Sequence, residues 1–591
     1  MNATTLVPPL AKGNSKTGEA QPIVLSVATG QDREAIYKFR HEVYARELGQ
    51  HAINSSARLR DALDDWNTYL VATIGGQIAG FISLTPPGGH GYSINKYVAR
   101  QTLPFAVDDW LYEIRLLTVL KPHRGRELAT LLMYGAFRWV EAHGGRRVIA
   151  IGRREVVDMY LRSGLEPLGS SFKSGTVTYD LLTTTTAALR DRMKAFGGLL
   201  DRLESKTVWR LNFPFRQPAQ CFHGGAFFEA VGPKFDSLER SRAIINADVL
   251  DAWFPPSPKV LKTLREFLPW LLRSSPPTAC EGLVATIAQV RGVAFENILP
   301  GAGSSDLIFR ALRSWVNPAS HALILDPTYG EYAHVLERVI GCTTDRLTLS
   351  PVNGYALDLD RLEAALADHY DLLVLVNPNS PTGRHIPRTE LESLLRRAPA
   401  ETRIWVDETY VDYAGTGQSL EQFAARSENV VVCKSMSKAY ALSGARVAYL
   451  CAGPHQLEEL RAITPPWVVS LPGQVAAVRA LQDPEYYASR YLETAELREE
   501  LRAGLAALGL LSVPGIANFL LCQLPPQGMD AATVVERCRQ RGLFLRDAGA
   551  MGTQLGSHAL RIAVKDAATN RRMVEILSEV LNFVSFVPIN A

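Results

Sequence analysis

The densest chemical signal in the chain is KSMSKAYALSGAR, residues 434–446. Lys438 follows an apolar run and two serines, Ser435 and Ser437, and Arg446 lies further along the same segment. A lysine held rigidly after a strand can form a Schiff base with an aldehyde. Hydroxyls and a guanidinium beside it suit a phosphate. In isolation a surface lysine and arginine on a strand–helix turn would read the same way, so the neighbouring segments decide. WVDETYVDY (405–413) ends an apolar run on Asp407. A carboxylate buried there is costly unless it meets a cation. As a cap at a strand–helix junction it would be ordinary. PGAGSSDLIFRAL (300–312) reads as a turn into a helix, where the backbone N–H groups of Ser304 and Ser305 would face an anion. It is not a dinucleotide fingerprint, because GxGxxD lacks the third glycine.

These segments need a scaffold. ALILD (322–326), DLLVLVNP (371–378), RIWVDE (403–408), NVVVCKS (429–435) and VAYLCA (447–452) are short apolar runs with helical stretches between them. Buried runs of this kind predict a parallel or mixed sheet in an α/β fold. Their polar residues gather at the C-terminal ends, where open α/β sheets hold ligands. A smaller α/β block precedes them. Residues 32–48 have helical apolar spacing, and TYLVATIGGQIAGFISL (68–84) reads as a hairpin around Gly75-Gly76. LYEIRLLTVL (111–120) and RRVIAIG (146–152) read as strands around a helix at about 126–143. We expect a disordered tail at 1–22, a first domain at 23–183, a connector at 184–240 containing an amphipathic helix at 187–204, and a larger domain at 241–591.

The 591 residues give room for several structural units. Lys+Arg 63 against Asp+Glu 60 leaves a formal charge of +3, which gives no general field for nucleic acid or acidic membranes. The Cys 7 are scattered without CxxC spacing, so neither a metal knuckle nor a disulfide scaffold is indicated and a cytoplasmic setting is expected. The N-terminus lacks a secretory pattern, and no apolar run is long enough to span a membrane.

The larger block resembles the class I/II aminotransferases dependent on pyridoxal 5'-phosphate, nearest the histidinol-phosphate aminotransferase branch. The resemblance implies a small α+β C-terminal domain, a homodimer and an amino acid or amine substrate. By it, Lys438 forms the internal aldimine, and Ser304, Ser305, Ser435, Ser437 and Arg446 hold the phosphate. Asp407 pairs with the ring nitrogen and Tyr410 with the ring hydroxyl. In NPNSPTG (377–383) the ring-hydroxyl contact falls to Asn379 or Ser380; Asn379 is the expectation. In LDPTYGEY (325–332) Tyr329 stacks on the ring, with Tyr332 the alternative. Arg561 in ALRIAVKD binds the substrate carboxylate, and Arg546 in LFLRDAG adds a second anionic contact or forms a salt bridge. Two departures border the substrate side: 271–283 has no tyrosine, and NADVLDAWFPPSP (246–258) lacks Asn-Glu-Asn-Pro. They imply a substrate or outcome other than that of the histidine pathway: transamination, or decarboxylation, elimination or carbon–carbon bond formation.

LYEIRLLTVLKPHRGRELATLLM (111–133) resembles the GNAT acyltransferase superfamily. The resemblance implies that the turn Arg124, Gly125, Ala129 wraps the pyrophosphate of acetyl-CoA or another acyl-CoA, although Glu127 replaces a glycine there. Tyr160 would protonate the leaving thiolate, and Glu113 would deprotonate an amine through water. FRHEVYARELG (39–49) is similar to the branch with acyl-homoserine-lactone and N-acyl amino acid synthases. The joint expectation is a bifunctional fusion in a specialised biosynthetic pathway. The alternative makes the first domain a binding or assembly module.

Overall fold

The computed structural model describes residues 21–124, 126–174, 177–218, 224–232 and 234–582. Most of the expected tail, and Gly125 of the expected pyrophosphate turn, lie outside them. The chain divides into two compact units, Met1–Pro218 and Ala219–Ala591. Among the described residues no helix is long and apolar enough to cross a membrane.

Among the described residues the first unit holds one 8-stranded sheet, ordered β6-β7-β5-β4-β3-β2-β1-β8. Its strands are β1 (Ile23–Val27), β2 (Thr68–Ile74), β3 (Gln77–Thr85), β4 (Leu111–Val119), β5 (Arg147–Arg153), β6 (Glu166–Ser174), β7 (Val177–Thr185) and β8 (Thr207–Arg210). The β2–β3 hairpin turns on Gly75 and Gly76, at φ 58° and 78°, the left-handed pair such a turn needs. β4 and β5 run parallel but pair only from Leu111↔Arg147 to Ile114↔Ala150. Beyond that, β4 is irregular: its register with β3 shifts, and Leu116 sits at φ 56°. The helix Arg126–Ala142 covers one face, burying Leu131 and Leu132 with Leu25, Leu70 and Ile82.

Two local expectations change in detail. The helix expected over 32–48 is α-helical over Gly30–Arg40, capped by Thr29, and widens into a π-helix over His41–Glu47. The amphipathic helix expected at 187–204 is two helices, Thr186–Lys194 and Gly197–Lys206, parted where Gly197 and Gly198 weaken helical preference. These helices and β8 lie within the first unit, although sequence composition assigns 184–218 to the connector.

The first strand of the second unit is β9 (Ile245–Asn246), and the unit contains a 7-stranded sheet among its described residues. The strands are β10 (Ile298–Gly301), β11 (His321–Asp326), β12 (Thr343–Thr348), β13 (Leu372–Val376), β14 (Arg403–Asp407), β15 (Val430–Ser435) and β16 (Ala448–Cys451), in the order β10-β16-β15-β14-β13-β11-β12. β12, β11, β13, β14 and β15 are parallel, and β16 runs antiparallel to both its neighbours. Helices cover the faces, so the central strands are buried throughout, as apolar runs without alternation require.

The strands β17 (Leu511–Ser512), β18 (Phe519–Gln523), β19 (Leu543–Phe544), β20 (Arg546–Asp547) and β21 (Ala559–Ala563) follow, and all but β19 form a small antiparallel sheet. Its order is β17-β18-β21-β20, while β19 pairs with β9. That pairing brings the segment after β9 beside the arginine-bearing strands.

Candidate active site

A cavity of about 730 Å³ lies in the second unit at the C-terminal ends of its parallel strands. Its lining includes Ser304, Ser305, Tyr329, Asp407, Tyr410, Ser435, Ser437, Lys438, Arg446, Arg546 and Arg561. Residues far apart in sequence thus converge on one space.

Lys438 sits on the turn after β15. Its Nζ donates to Asp251 Oδ1 at 2.8 Å, and Ser443 Oγ donates to the same oxygen at 2.6 Å. Burial pulls the lysine below its ordinary range, while Asp251 opposes the shift. Lys565 also approaches: its Nζ donates to the Asp251 carbonyl at 3.5 Å, and burial brings it down to about 8. Asp251, Ser443 and Lys565 escaped the sequence reading. The available signal was the altered segment 246–258, which contains Asp251.

Asp407 ends β14 and is buried. It accepts hydrogen bonds from Tyr332 Oη at 2.7 Å, Thr409 N at 2.9 Å and Thr409 Oγ1 at 2.6 Å. Burial raises its carboxyl above the usual range, against those donors. Tyr332 is fully buried and also accepts from Trp405 Nε1 at 2.7 Å, so it braces Asp407. Tyr329 lines the cavity and meets Tyr332 edge to face, with centroids 5.9 Å apart. Tyr410 is packed edge-on against Phe519 at 5.2 Å.

Ser304 opens the helix Ser304–Trp315, directly after Gly303 at φ 92°. A Cβ at Gly303 would collide with the Arg446 guanidinium, so glycine lets the two approach. Arg446 donates to Ser437 Oγ at 3.4 Å, and Ser435 Oγ caps the lysine turn by accepting from Ser437 N at 3.3 Å. Ser305 Oγ donates to Glu331 Oε2 at 3.0 Å.

At the 377–383 turn, Asn379 is buried and donates to Pro327 O at 3.0 Å and Thr382 Oγ1 at 3.1 Å. Ser380 lines the cavity and accepts from Arg561 Nη1 at 3.3 Å. Arg561 also donates to Asp248 O at 3.0 Å, and burial lowers its guanidinium to about 10. Arg546 is its register partner across β20–β21 and forms an ion pair with Asp248 at 2.6 Å.

The first unit has its own cavity, of about 680 Å³, lined in part by Tyr160. Burial raises the Tyr160 phenol. Arg124 forms an ion pair with Glu47 at 2.6 Å, and Glu127 with Lys206 at 3.3 Å. Ala129 is half-buried on the helix that follows the turn. Glu113 lies on β4. It is fully buried and accepts from Ser93 N at 2.8 Å, Ser93 Oγ at 2.6 Å and Ile94 N at 3.1 Å. Its carboxylate fastens the Ser93 turn.

Comparison with known proteins agrees with this geometry. Residues 271–581, more than half the chain, match the model for aminotransferase class I and II. The chain therefore belongs to that family and is an aminotransferase-like transferase. Residues 33–165 match the acetyltransferase (GNAT) family.

Among particular relatives, histidinol-phosphate aminotransferase 2 of Carboxydothermus hydrogenoformans is 29% identical over 356 residues, covering 59% of this chain and 95% of the relative. Histidinol-phosphate aminotransferase of Anaeromyxobacter sp. is 30% identical over 359 residues, covering 59% and 95%. A solved histidinol-phosphate aminotransferase from Sinorhizobium meliloti, in complex with pyridoxal-5'-phosphate, shares the fold at TM-score 0.53 and 24% identity, covering 62% of this chain and 99% of that one.

Proposed function

We propose that residues 241–591 form a pyridoxal-phosphate-dependent aminotransferase acting on an amino acid or amine. Residues 23–183 form an acyl-CoA-dependent N-acyltransferase domain, with 184–240 connecting the two in sequence. The pair serves a specialised biosynthetic route. One observation carries the first part: Lys438, Asp407, Arg446 and Arg561 come from separate segments and line one cavity.

The donor set fits the cofactor. Asp407 is a buried carboxylate, raised by burial, with no ion pair among the described residues, so a protonated ring nitrogen would complete it. Arg446, Ser435, Ser437 and the N-terminal residues Ser304 and Ser305 bring hydroxyls, N–H groups and a guanidinium together for a phosphate. Tyr329 offers a ring face, and Tyr410 with Ser380 offers hydroxyls to the ring oxygen; Asn379 acts behind them. When bound, pyridoxal phosphate supplies a carbonyl for amines and a protonated heterocycle that takes up the electron pair left at a substrate carbon.

The chain's own residues do the rest. Lys438 Nζ moves the proton at the substrate Cα. Burial favours its neutral form, and Asp251 holds the ammonium form in reserve. Arg561 orients the substrate carboxylate with its planar fork. Arg546, partly neutralised by Asp248, adds a weaker anionic contact.

In the first unit, Arg124, Gly125 and Ala129 hold the acyl-CoA pyrophosphate. Tyr160, kept protonated by burial, donates to the leaving sulfur. A homodimer completes the reading, and sedimentation of the full chain checks it. The described cysteines are free and buried, which supports a cytoplasmic setting.

An amino-donor panel tests the aminotransferase. Formation of a 2-oxo acid matched by transfer of the amine supports it. Release of CO2, or loss of the side chain with the amine retained, would replace it with decarboxylation or with elimination and carbon–carbon bond formation.

A further inference from the structure

Asp248 touches both arginines on the substrate side of the second unit's cavity. Its backbone carbonyl accepts from Arg561 Nη2 at 3.0 Å, and its carboxylate pairs with Arg546 Nε at 2.6 Å. Two strands fix its place: Ala247 N donates to Phe544 O at 2.9 Å, and Ala563 N donates to Ala247 O at 3.0 Å. The ion pair is nearly closed off from solvent, with side-chain exposures of 10% for Arg546 and 7% for Asp248. Gly224, at φ 86°, lies over it, and a Cβ there would collide with both side chains. Asp248 belongs to 246–258, the segment that departs from the family pattern.

A buried arginine beside a carboxylate has its charge committed to that partner, whereas one left alone is an uncompensated charge that favours an incoming anion. Arg546 is in the first situation. Arg561 is not: its hydrogen bonds among the described residues go to the neutral oxygens of Ser380 and Asp248 O. Val249, Leu250, Val535, Phe544, Leu545 and Met551 line the same cavity and give it an apolar wall. Arg539 also reaches the lining, but it is exposed and pairs with Glu536 at 3.4 Å. A second anionic group on a substrate would have to displace Asp248 from Arg546 or stay unpaired, at a cost. An alkyl or thioether side chain would gain by leaving water.

We propose that Asp248 sets the charge selectivity of this cavity. By holding Arg546 back from the substrate, it makes the cavity take an acid with one carboxylate and an apolar side chain in preference to one with a second anionic group. Asp248 acts through Arg546 and is a positioning residue. That the acid is an amino donor rests on the aminotransferase reading above; the preference for a single carboxylate rests on the cavity alone.

Calorimetric titration of the full chain, in saturating pyridoxal phosphate, with the unreactive acids 4-methylpentanoate and glutarate tests this. The parent should bind 4-methylpentanoate the more tightly. Asp248→Asn should shift the ratio of the two affinities at least ~10-fold toward glutarate, with Asp248→Ser as a second variant should the first not fold. Adding Arg546→Gln to either should abolish the shift. Amino transfer from methionine, glutamine and glutamate gives a second readout, because the last two differ in charge at nearly equal size. Glutarate binding more tightly to the parent, a ratio unmoved by Asp248→Asn, or a shift that survives Arg546→Gln would overturn the inference, as would no binding of either acid. Preferred transfer from glutamate by the parent would overturn it while leaving the aminotransferase reading intact. The expected binding ratios without amino transfer from any donor would support the inference and defeat that reading.

Discussion

Asp251 Oδ1 stands 2.8 Å from Lys438 Nζ, so the amine assigned to Schiff-base chemistry is paired with a carboxylate from a segment far away in sequence. The same oxygen accepts from Ser443 Oγ. Burial and Asp251 pull the lysine in opposite directions, burial toward the neutral amine and Asp251 toward the ammonium.

Asp251→Asn should remove the second influence. The Lys438 pKa then falls further, and the neutral amine becomes available at lower pH. Titrating pyridoxal phosphate binding by absorbance against pH should show the half-saturation point moving to lower pH than in the parent. An unmoved profile would mean that Asp251 does not act on Lys438.

Asp407→Asn keeps the shape and removes the charge. A hydrogen bond to a charged partner is worth ~1.5–3 kcal/mol. The turnover rate of the reconstituted protein should therefore fall roughly 10–150-fold, with weaker retention of cofactor on gel filtration. Tyr332→Phe, which removes one brace of Asp407, should have a smaller effect of the same sign.

Arg561→Lys preserves a positive charge but not the fork. Against a carboxylate substrate it should raise KM by about tenfold or more, and kcat/KM should fall correspondingly. Substrates lacking the carboxylate should be nearly indifferent. Equal losses for both classes would detach Arg561 from carboxylate binding.

Glu408 gives a pH dependence of stability. It is buried with Lys434 and accepts from Ser419 Oγ at 2.5 Å and Leu420 N at 2.7 Å; burial pushes it up to about 7, against Lys434. Its folded pKa exceeds its unfolded one, so the folded state binds more protons between them. The resulting stability is present below about 4.5, the ordinary value, and is lost as pH rises toward about 7. Differential melting of the parent and Glu408→Gln across that window should show the parent losing stability with pH relative to the variant.

The parallel strands are legible because a strand buried on both faces must be apolar throughout, and the polar residue that ends it stands out: Asp407 after RIWV, Ser435 after VVVCK. Asp251 is not legible in this way. Its contact with Lys438 spans 187 residues and has no local periodicity. The contacts of Glu113 are hidden for a related reason: a carboxylate within a strand does not reveal that it fastens the backbone of a distant turn. At Asn379 and Ser380 the turn is legible, but which of the adjacent side chains reaches the cavity depends on backbone geometry. β8 joins the sheet beside β1 across most of the first unit, a pairing that no short window contains.

The central claim is that Lys438 is the amine that binds the cofactor aldehyde. The most direct measurement is borohydride reduction of the pyridoxal-phosphate-loaded full chain, followed by peptide mass mapping. The account requires a visible absorbance that reduction abolishes, a pyridoxyl mass on the peptide bearing Lys438, and loss of both in Lys438→Ala. A protein that stays colourless after reconstitution, or a label on any other side chain, would contradict it.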